Sequence, residues 1–268
     1  MAFGQLSRPA HAFDQIADAF DDRFSPWQSV AAQRRAVRNE LLDAFAPGST
    51  VLEIGGGTGE DALWLARNGR RVFLTDVSPR MVHRARAKFA GRRGLRAEVA
   101  AAQNLEALAL DGARFDGAFS NFAALNCVED LVPVARGLAR LVRPGGGAIL
   151  VLFGTFCPGE WIVEALRRRP RAMVRRFRRG PVPAQLGGKA FAVRYFTGDE
   201  LKSAMSPWFD FVGTRGIGVF VPPSAAEPWI SRRPRLLPAL EALDRRLSRP
   251  LAALGDHVLY HFVRRSDG

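Results

Sequence analysis

The sequence predicts an α/β protein built on a mostly parallel sheet. Between residues 51 and 153, short apolar runs of strand length alternate with segments of helical periodicity. The first of these runs passes directly into Gly55-Gly56-Gly57-Thr58-Gly59, a glycine turn that opens the following helix. Strands that alternate with helices form a parallel sheet covered on both faces.

The elements follow in order. Residues 12–24 set Phe13, Ile16, Phe20 and Phe24 at helical spacing. A second amphipathic helix runs over 30–46 on Val37, Leu41, Leu42 and Phe45, and Pro47-Gly48 ends it. Residues 51–54 are a short buried strand. Helices are expected over 62–68, 81–89 and 128–142, and strands over 71–75, 95–100, 115–120 and 148–153. The run 144–147, Pro-Gly-Gly-Gly, closes the last of those helices. After 154 the alternation stops. Trp161, Ile162, Ala165 and Leu166, then Met173, Val174 and Phe177, have helical spacing. Pro170 between them starts a second short helix. A helix over 198–206, a strand region around 209–221, a helical stretch over 232–254 and a final strand over 257–263 complete the chain.

The chain has 268 residues, 47% of them hydrophobic and 24% charged. That balance excludes a mainly disordered chain and supplies a core. No apolar stretch approaches the roughly 18–20 residues that span a bilayer. The opening residues turn polar at once, and the two cysteines have neither disulfide nor metal-site spacing. A cytoplasmic, metal-independent protein is the expectation. Cys127 and Cys157 read as small apolar residues, and His83 as solvated.

Net charge is +13, from 39 basic and 26 acidic residues. Residues 1–150 hold 19 basic and 16 acidic residues, and the remainder 20 and 10. Most of the excess is one cluster from Arg167 to Arg179, made of Arg167, Arg168, Arg169, Arg171, Arg175, Arg176, Arg178 and Arg179 with no acid among them. Three readings stay open: a solvated helix face, peripheral contact with an anionic membrane at the inner face, and nucleic acid. Interleaved apolar residues favour the membrane over nucleic acid. Nucleic acid ranks last, because no aromatic–proline motif follows the fourth strand, which reads Ser120-Asn121-Phe122-Ala123.

The glycine turn puts backbone close to a ligand. A dinucleotide site wants glycine three residues after Gly57, where this chain has Glu60, whose charge opposes a pyrophosphate. Glu53, inside the strand two residues before Gly55, suits an ammonium group. Asp76 lies 19 residues after Gly57 at the end of the next strand, a spacing that suits ribose hydroxyls. The ligand therefore reads as a nucleoside with a cationic amino-acid arm.

Four ordered segments, VLEIGGGTGEDALWLA, VFLTDVSPRMVHRARAK, FDGAFSNFAALNCVEDL and LARLVRPGGGAILVLF, resemble the class I S-adenosylmethionine-dependent methyltransferases, in the broad group that includes the quinone-biosynthesis enzymes. The resemblance covers about residues 10–154. It implies a Rossmann-like, seven-stranded, mostly parallel sheet with the last strand antiparallel, N-terminal lid helices, and a helical insert after the fifth strand. It divides the chain into lid helices at 1–46, an S-adenosyl-L-methionine-binding core at 47–154, a substrate-cap insert at 155–200, and a C-terminal part of the sheet at 201–268 with an inserted helical segment at about 222–254. Gly55, Gly56 and Gly57 would bend under the methionine arm and Glu53 would orient it. Asp76 would hold the ribose, with Val77 and Met81 against the adenine. Ala101 stands where the family often has an aspartate, so Ala102 and Gln103 would replace that contact. Ser120 and Asn121 would face the transferable methyl, and Arg34 would meet the cofactor's carboxylate.

The implied activity is methyl transfer to an O, N or C atom of a small-molecule or lipid-like acceptor. Such transfer is an in-line displacement, so positioning and exclusion of water are the main tasks. A base is needed only where the acceptor must lose a proton. Glu160, Tyr195, His11 and His257 are the candidates. Two alternatives remain. One is a non-catalytic nucleoside- or partner-binding protein on the same fold, with Leu236, Leu240, Leu243, Leu247 and Leu251 as a homodimer interface. The other is an RNA methyltransferase.

Overall fold

The computed structural model describes residues 8–108, 112, 114–122 and 124–266. Before the sheet come α1 (Arg8–Ile16), α2 (Phe20–Phe24) and α3 (Gln28–Ala44). The expected helix over 12–24 is interrupted by a tight turn at Ala17–Ala19. Asp14 and Asp21, on the two sides of that turn, are held by different partners. Asp14 serves the start of α5, and Asp21 the glycine loop.

The sheet core comprises β1 (Thr50–Ile54), α4 (Glu60–Arg67), β2 (Arg71–Asp76), α5 (Pro79–Phe89), β3 (Leu95–Val99), β4 (Phe115–Ser120), α6 (Val132–Leu141) and β5 (Val142–Phe153). The Pro-Gly-Gly-Gly run, expected to close a helix, lies inside β5. Only glycine fits there at residue 146, where a Cβ would lie 2.7 Å from the Asp116 carbonyl oxygen.

Next come α7 (Pro158–Leu166), α8 (Pro170–Met173), β6 (Pro181–Leu186) and β7 (Lys189–Arg194). The last elements are α9 (Gly198–Met205), β8 (Phe209–Ile217), α10 (Leu237–Leu247) and β9 (His257–Arg264). The insert is therefore not wholly helical, since β6 and β7 form an antiparallel hairpin. Its two-residue turn, Gly187-Gly188, has φ of +56° and +76°. A glycine pair is what such a turn demands, and the pair is the local sequence signal of this hairpin. The helical stretch expected over 232–254 contracts to α10, because the arginine- and proline-rich ground before it forms turns. α10 packs on α3, with Leu237 and Leu240 grouped with Ala32, Val221 and Ile230. Leu236 and Leu243 remain exposed.

The seven strands run in the order β3-β2-β1-β4-β5-β9-β8. β1 to β5 are parallel, and β9 is antiparallel to both of its neighbours, as the Rossmann-like expectation requires. Burial alternates along β5. Ala148, Leu150 and Leu152 enter the cluster with α6 and α9, while Ile149 and Val151 enter the cluster with α3, α4 and α5. Two buried faces are why the strand reads as a continuous apolar run. Because β9 runs backward, its first residue, His257, pairs with Phe153 at the end of β5. The start of β9 thus joins the carboxyl ends of the parallel strands at one edge.

Candidate active site

The glycine turn lies at that edge. Gly55, Gly57 and Gly59 all have left-handed φ, between +56° and +84°. A Cβ at Gly55 would fall 2.2 Å from the Ala124 Cβ, and one at Gly56 2.7 Å from the Glu53 carboxyl carbon. The loop therefore lies directly on Glu53, and open space surrounds the Gly57 α-carbon.

Glu53 is 2% exposed, and its Oε2 has no hydrogen-bond partner. Burial, with the nearby Asp61 charge adding to it, holds its carboxyl well above the usual range. A buried acceptor without a partner is costly unless a ligand completes it. Asp76 accepts from the backbone N–H of Gly57 and of Ser78, both at 2.9 Å. Burial nevertheless pushes its carboxyl up to about 6, against those two donors. Its oxygens retain lone pairs for hydroxyl donors. Met81 is fully buried in the first turn of α5, and Val77 is half-buried beside Asp76. Ala102 is half-buried and Gln103 exposed at the start of the turn after β3. These residues fit a nucleoside with a cationic arm. An ammonium would answer Glu53, and ribose hydroxyls would answer Asp76.

The N-terminal helices fasten onto this loop. Asp21 accepts from the Thr58 hydroxyl at 2.6 Å and pairs with Lys88 at 2.7 Å. Asp14 accepts from the Ser78 hydroxyl and from the Arg80 N–H. α1 also packs on the hairpin, with the Phe13 and Phe191 rings 5.9 Å apart.

One expected site residue, Ser120, has another task. Ser120 is fully buried, and its hydroxyl donates to the Ile54 carbonyl at 3.0 Å, tying β4 to β1 instead of facing a methyl group. Arg34 has no hydrogen-bond partner for its buried Nε, so it keeps donor capacity for a carboxylate. Its guanidinium lies 5.0 Å from the Phe122 ring centroid, and its Nε is 3.8 Å from Asp61. Asp61, unremarked in the sequence, is a hub that accepts from Arg38 Nε at 2.7 Å and from Asn121 Nδ2 at 2.8 Å. Its one sequence signal is its place in the first turn of the helix after the glycine loop, where an acid complements the helix dipole.

Three of the four candidate bases come together, around a residue that sequence reasoning left in a crowd. Arg176 is 5% exposed. It donates to Glu160 (Nε, 2.9 Å), to the Gly154 carbonyl (3.0 Å), and to both the carbonyl (2.7 Å) and the carboxylate (2.6 Å) of Asp256. Its guanidinium also lies 5.4 Å from the Phe153 ring and 5.9 Å from that of Tyr195.

Glu160 is bound by both Arg175 and Arg176, which occupies it as an ion-pair partner. Burial pushes the Tyr195 phenol up, so it stays protonated near neutrality. His257 stacks on Phe153 at 4.9 Å and meets the edge of Phe122 at 5.8 Å. Its Nδ1 lies 3.5 Å from Asp256 Oδ2. Burial lowers the imidazole below its ordinary value, with Asp256 opposing, so the ring is neutral at pH 7. Burial alone would raise Asp256, but His257 and Arg176 more than offset it and the carboxyl is lowered. His11, the fourth candidate, is exposed on α1 and joins none of these contacts.

Residues 51–146 match the family described as a methyltransferase domain. Over 147 residues, 54% of its length, the chain is 31% identical to a malonyl-[acyl-carrier protein] O-methyltransferase of Serratia marcescens, and the match covers 54% of that protein. It is 38% identical over 119 residues to an uncharacterised methyltransferase of Mycobacterium bovis, covering 43% of this chain and 57% of the relative. The chain thus spans about half the length of the curated relatives it matches. The CcbJ methyltransferase of Streptomyces caelestis superposes with a TM-score of 0.61 at 17% identity, over 95% of this chain and 98% of that one. At that identity the likeness is one of fold. Strand order and glycine loop agree with the family match, which puts a methyltransferase domain at residues 51–146 on a Rossmann-like sheet.

Proposed function

We propose that this chain transfers the methyl group of S-adenosyl-L-methionine to an oxygen of a small-molecule or lipid-like acceptor. The observation that carries the reading is the unpartnered carboxylate oxygen of Glu53 beneath the glycine loop, with Asp76 held on the Gly57 N–H beside it. Glu53 would take the ammonium of the methionine arm, Asp76 the ribose, and Val77, Met81, Ala102 and Gln103 the adenine side. The cofactor supplies a sulfonium methyl with a neutral thioether as leaving group.

On this reading the acceptor sits among the ends of β4, β5 and β9, under the segment at 155–200. Phe122, Phe153 and Tyr195 exclude water there. Oxygen as the acceptor atom is favoured by two things, the name of the Serratia relative and the neutral His257. Its Nδ1 lies 3.5 Å from Asp256 Oδ2 without a hydrogen bond, and with the ring proton held on that side Nε2 would take a hydroxyl proton. Asp256 and Arg176 hold that ring's surroundings.

Calorimetry with S-adenosylhomocysteine tests the cofactor assignment. Binding that Asp76→Ala abolishes is the expected outcome, and no binding by the parent chain sinks it. His257→Gln should leave that binding intact and lower kcat on a hydroxyl acceptor by about 10²–10⁴-fold. An unchanged kcat removes His257 from the chemistry.

A further inference from the structure

α7 is built inside out. Its buried face carries Glu160 and Glu164, at 2% and 6% exposure, four residues apart. Its outer face carries Ile162 and Leu166, also four apart, at 62% and 81% exposure. A solvated surface helix has the opposite arrangement. The inward acids are occupied by arginines, Glu160 by Arg175 and Arg176, and Glu164 by Arg167 at 3.6 Å. The outward aliphatics continue into Val174 and Phe177, each about half exposed.

The same surface is strongly cationic. Of the eight arginines from Arg167 to Arg179, only Arg176 is buried. No acidic residue occurs between Glu164 and Asp199. Arg167 donates to the Ala225 carbonyl at 2.7 Å, and the segment it grips runs on to Trp229, half exposed beneath the Arg233 guanidinium at 4.4 Å.

We propose that this face docks on an anionic phospholipid surface. Ile162, Leu166, Val174 and Phe177 would enter the headgroup–acyl boundary, and the exposed arginines would pair with lipid phosphates. Arginine stems lie along apolar surface while their heads reach polar groups, so the two residue classes serve one interface. Phosphates alone would account for the arginines. They would not account for a leucine at 81% exposure on the outer face of a helix whose acids point inward. The site lies on the other side of this layer, because Arg176 runs from the basic segment to Gly154, Asp256 and Glu160. Docking by this face would bring a lipid-borne acceptor to the cap without passage through water.

The test is co-sedimentation of the whole chain with phosphatidylglycerol/phosphatidylcholine vesicles and with phosphatidylcholine alone. It needs neither cofactor nor acceptor, so its outcome is independent of methyl transfer. Binding to the anionic vesicles only is expected. Arg168→Gln/Arg169→Gln/Arg171→Gln should weaken it by roughly a hundredfold, at about 1 kcal/mol per arginine near the lipid. Ile162→Ser/Leu166→Ser should weaken it at least about tenfold. An unchanged thermal midpoint for both variants certifies folding. Failure of the parent chain to bind anionic vesicles at low salt overturns the proposal. So does full binding by the Ile162→Ser/Leu166→Ser variant, or retention of a single-stranded RNA more tightly than the vesicles.

Discussion

The glycine loop and the arginine-rich cap meet at one edge of the sheet and use charge in opposite ways. The loop collects buried acids, Glu53, Asp61 and Asp76, around bare backbone. One of them keeps an oxygen without a partner. The cap collects arginines and buries one of them, Arg176, as the tie between Glu160 and Asp256. The loop leaves an oxygen of Glu53 unpartnered, whereas in the cap the buried Glu160 is fully engaged by Arg175 and Arg176 and most of the remaining arginines face outward. The acids are buried around the loop, and the cations divide between one internal tie and an exposed surface.

The largest expected effect falls on the cap. Arg176→Met leaves Glu160 and Asp256 buried without their common cation, and should cost about 3–5 kcal/mol in urea unfolding. A loss under 1 kcal/mol would dissolve the distinction between Arg176 and its neighbours. In the loop, Gly55→Ala places a Cβ against Ala124 at φ +68°. Backbone strain alone should cost about 1–3 kcal/mol, and S-adenosylhomocysteine affinity should fall with it.

The next effect is one of pH. Asp76 accepts ribose hydroxyls best when ionised, and its carboxyl titrates at about 6 in the unliganded chain. Above that value the carboxylate is present, and below it affinity is lost as protons bind. Lowering pH from 7 to 5 should therefore weaken S-adenosylhomocysteine binding by at least about tenfold, the share of Asp76 alone. An affinity flat over that range would remove Asp76 from the contact. Binding near neutrality should also release protons, read as a dependence of calorimetric heat on buffer ionisation enthalpy, because the ammonium arm would ionise Glu53. The smallest effect is predicted for Arg178→Gln and Arg179→Gln. These exposed positions should change stability by less than about 0.5 kcal/mol, in contrast to Arg176 two residues before them.

The loop was legible because each of its residues answers a local demand. Left-handed φ and close approach require glycine at 55, and the strand ends bring Glu53 and Asp76 to it through pairing of β1 with β2. The hairpin at 181–194 carries the same kind of local signal in Gly187-Gly188. Ser120 and Arg34 were placed near the right edge, but their partners, the Ile54 carbonyl and Asp61, come from other elements.

Local chemistry along the chain determined the strand–helix alternation, the glycine cradle and the basic cluster. Periodicity and glycine placement report burial and backbone conformation within a few residues. Which arginine is buried, which acid it holds, and which histidine packs beside them are not local properties. Arg176 meets Asp256 across 80 residues of chain, and His257 reaches the end of β5 because β9 enters the sheet backward between β5 and β8. The tertiary structure decided those pairings, because the low-dielectric interior allows a buried guanidinium only where distant carboxylates and carbonyls converge on it.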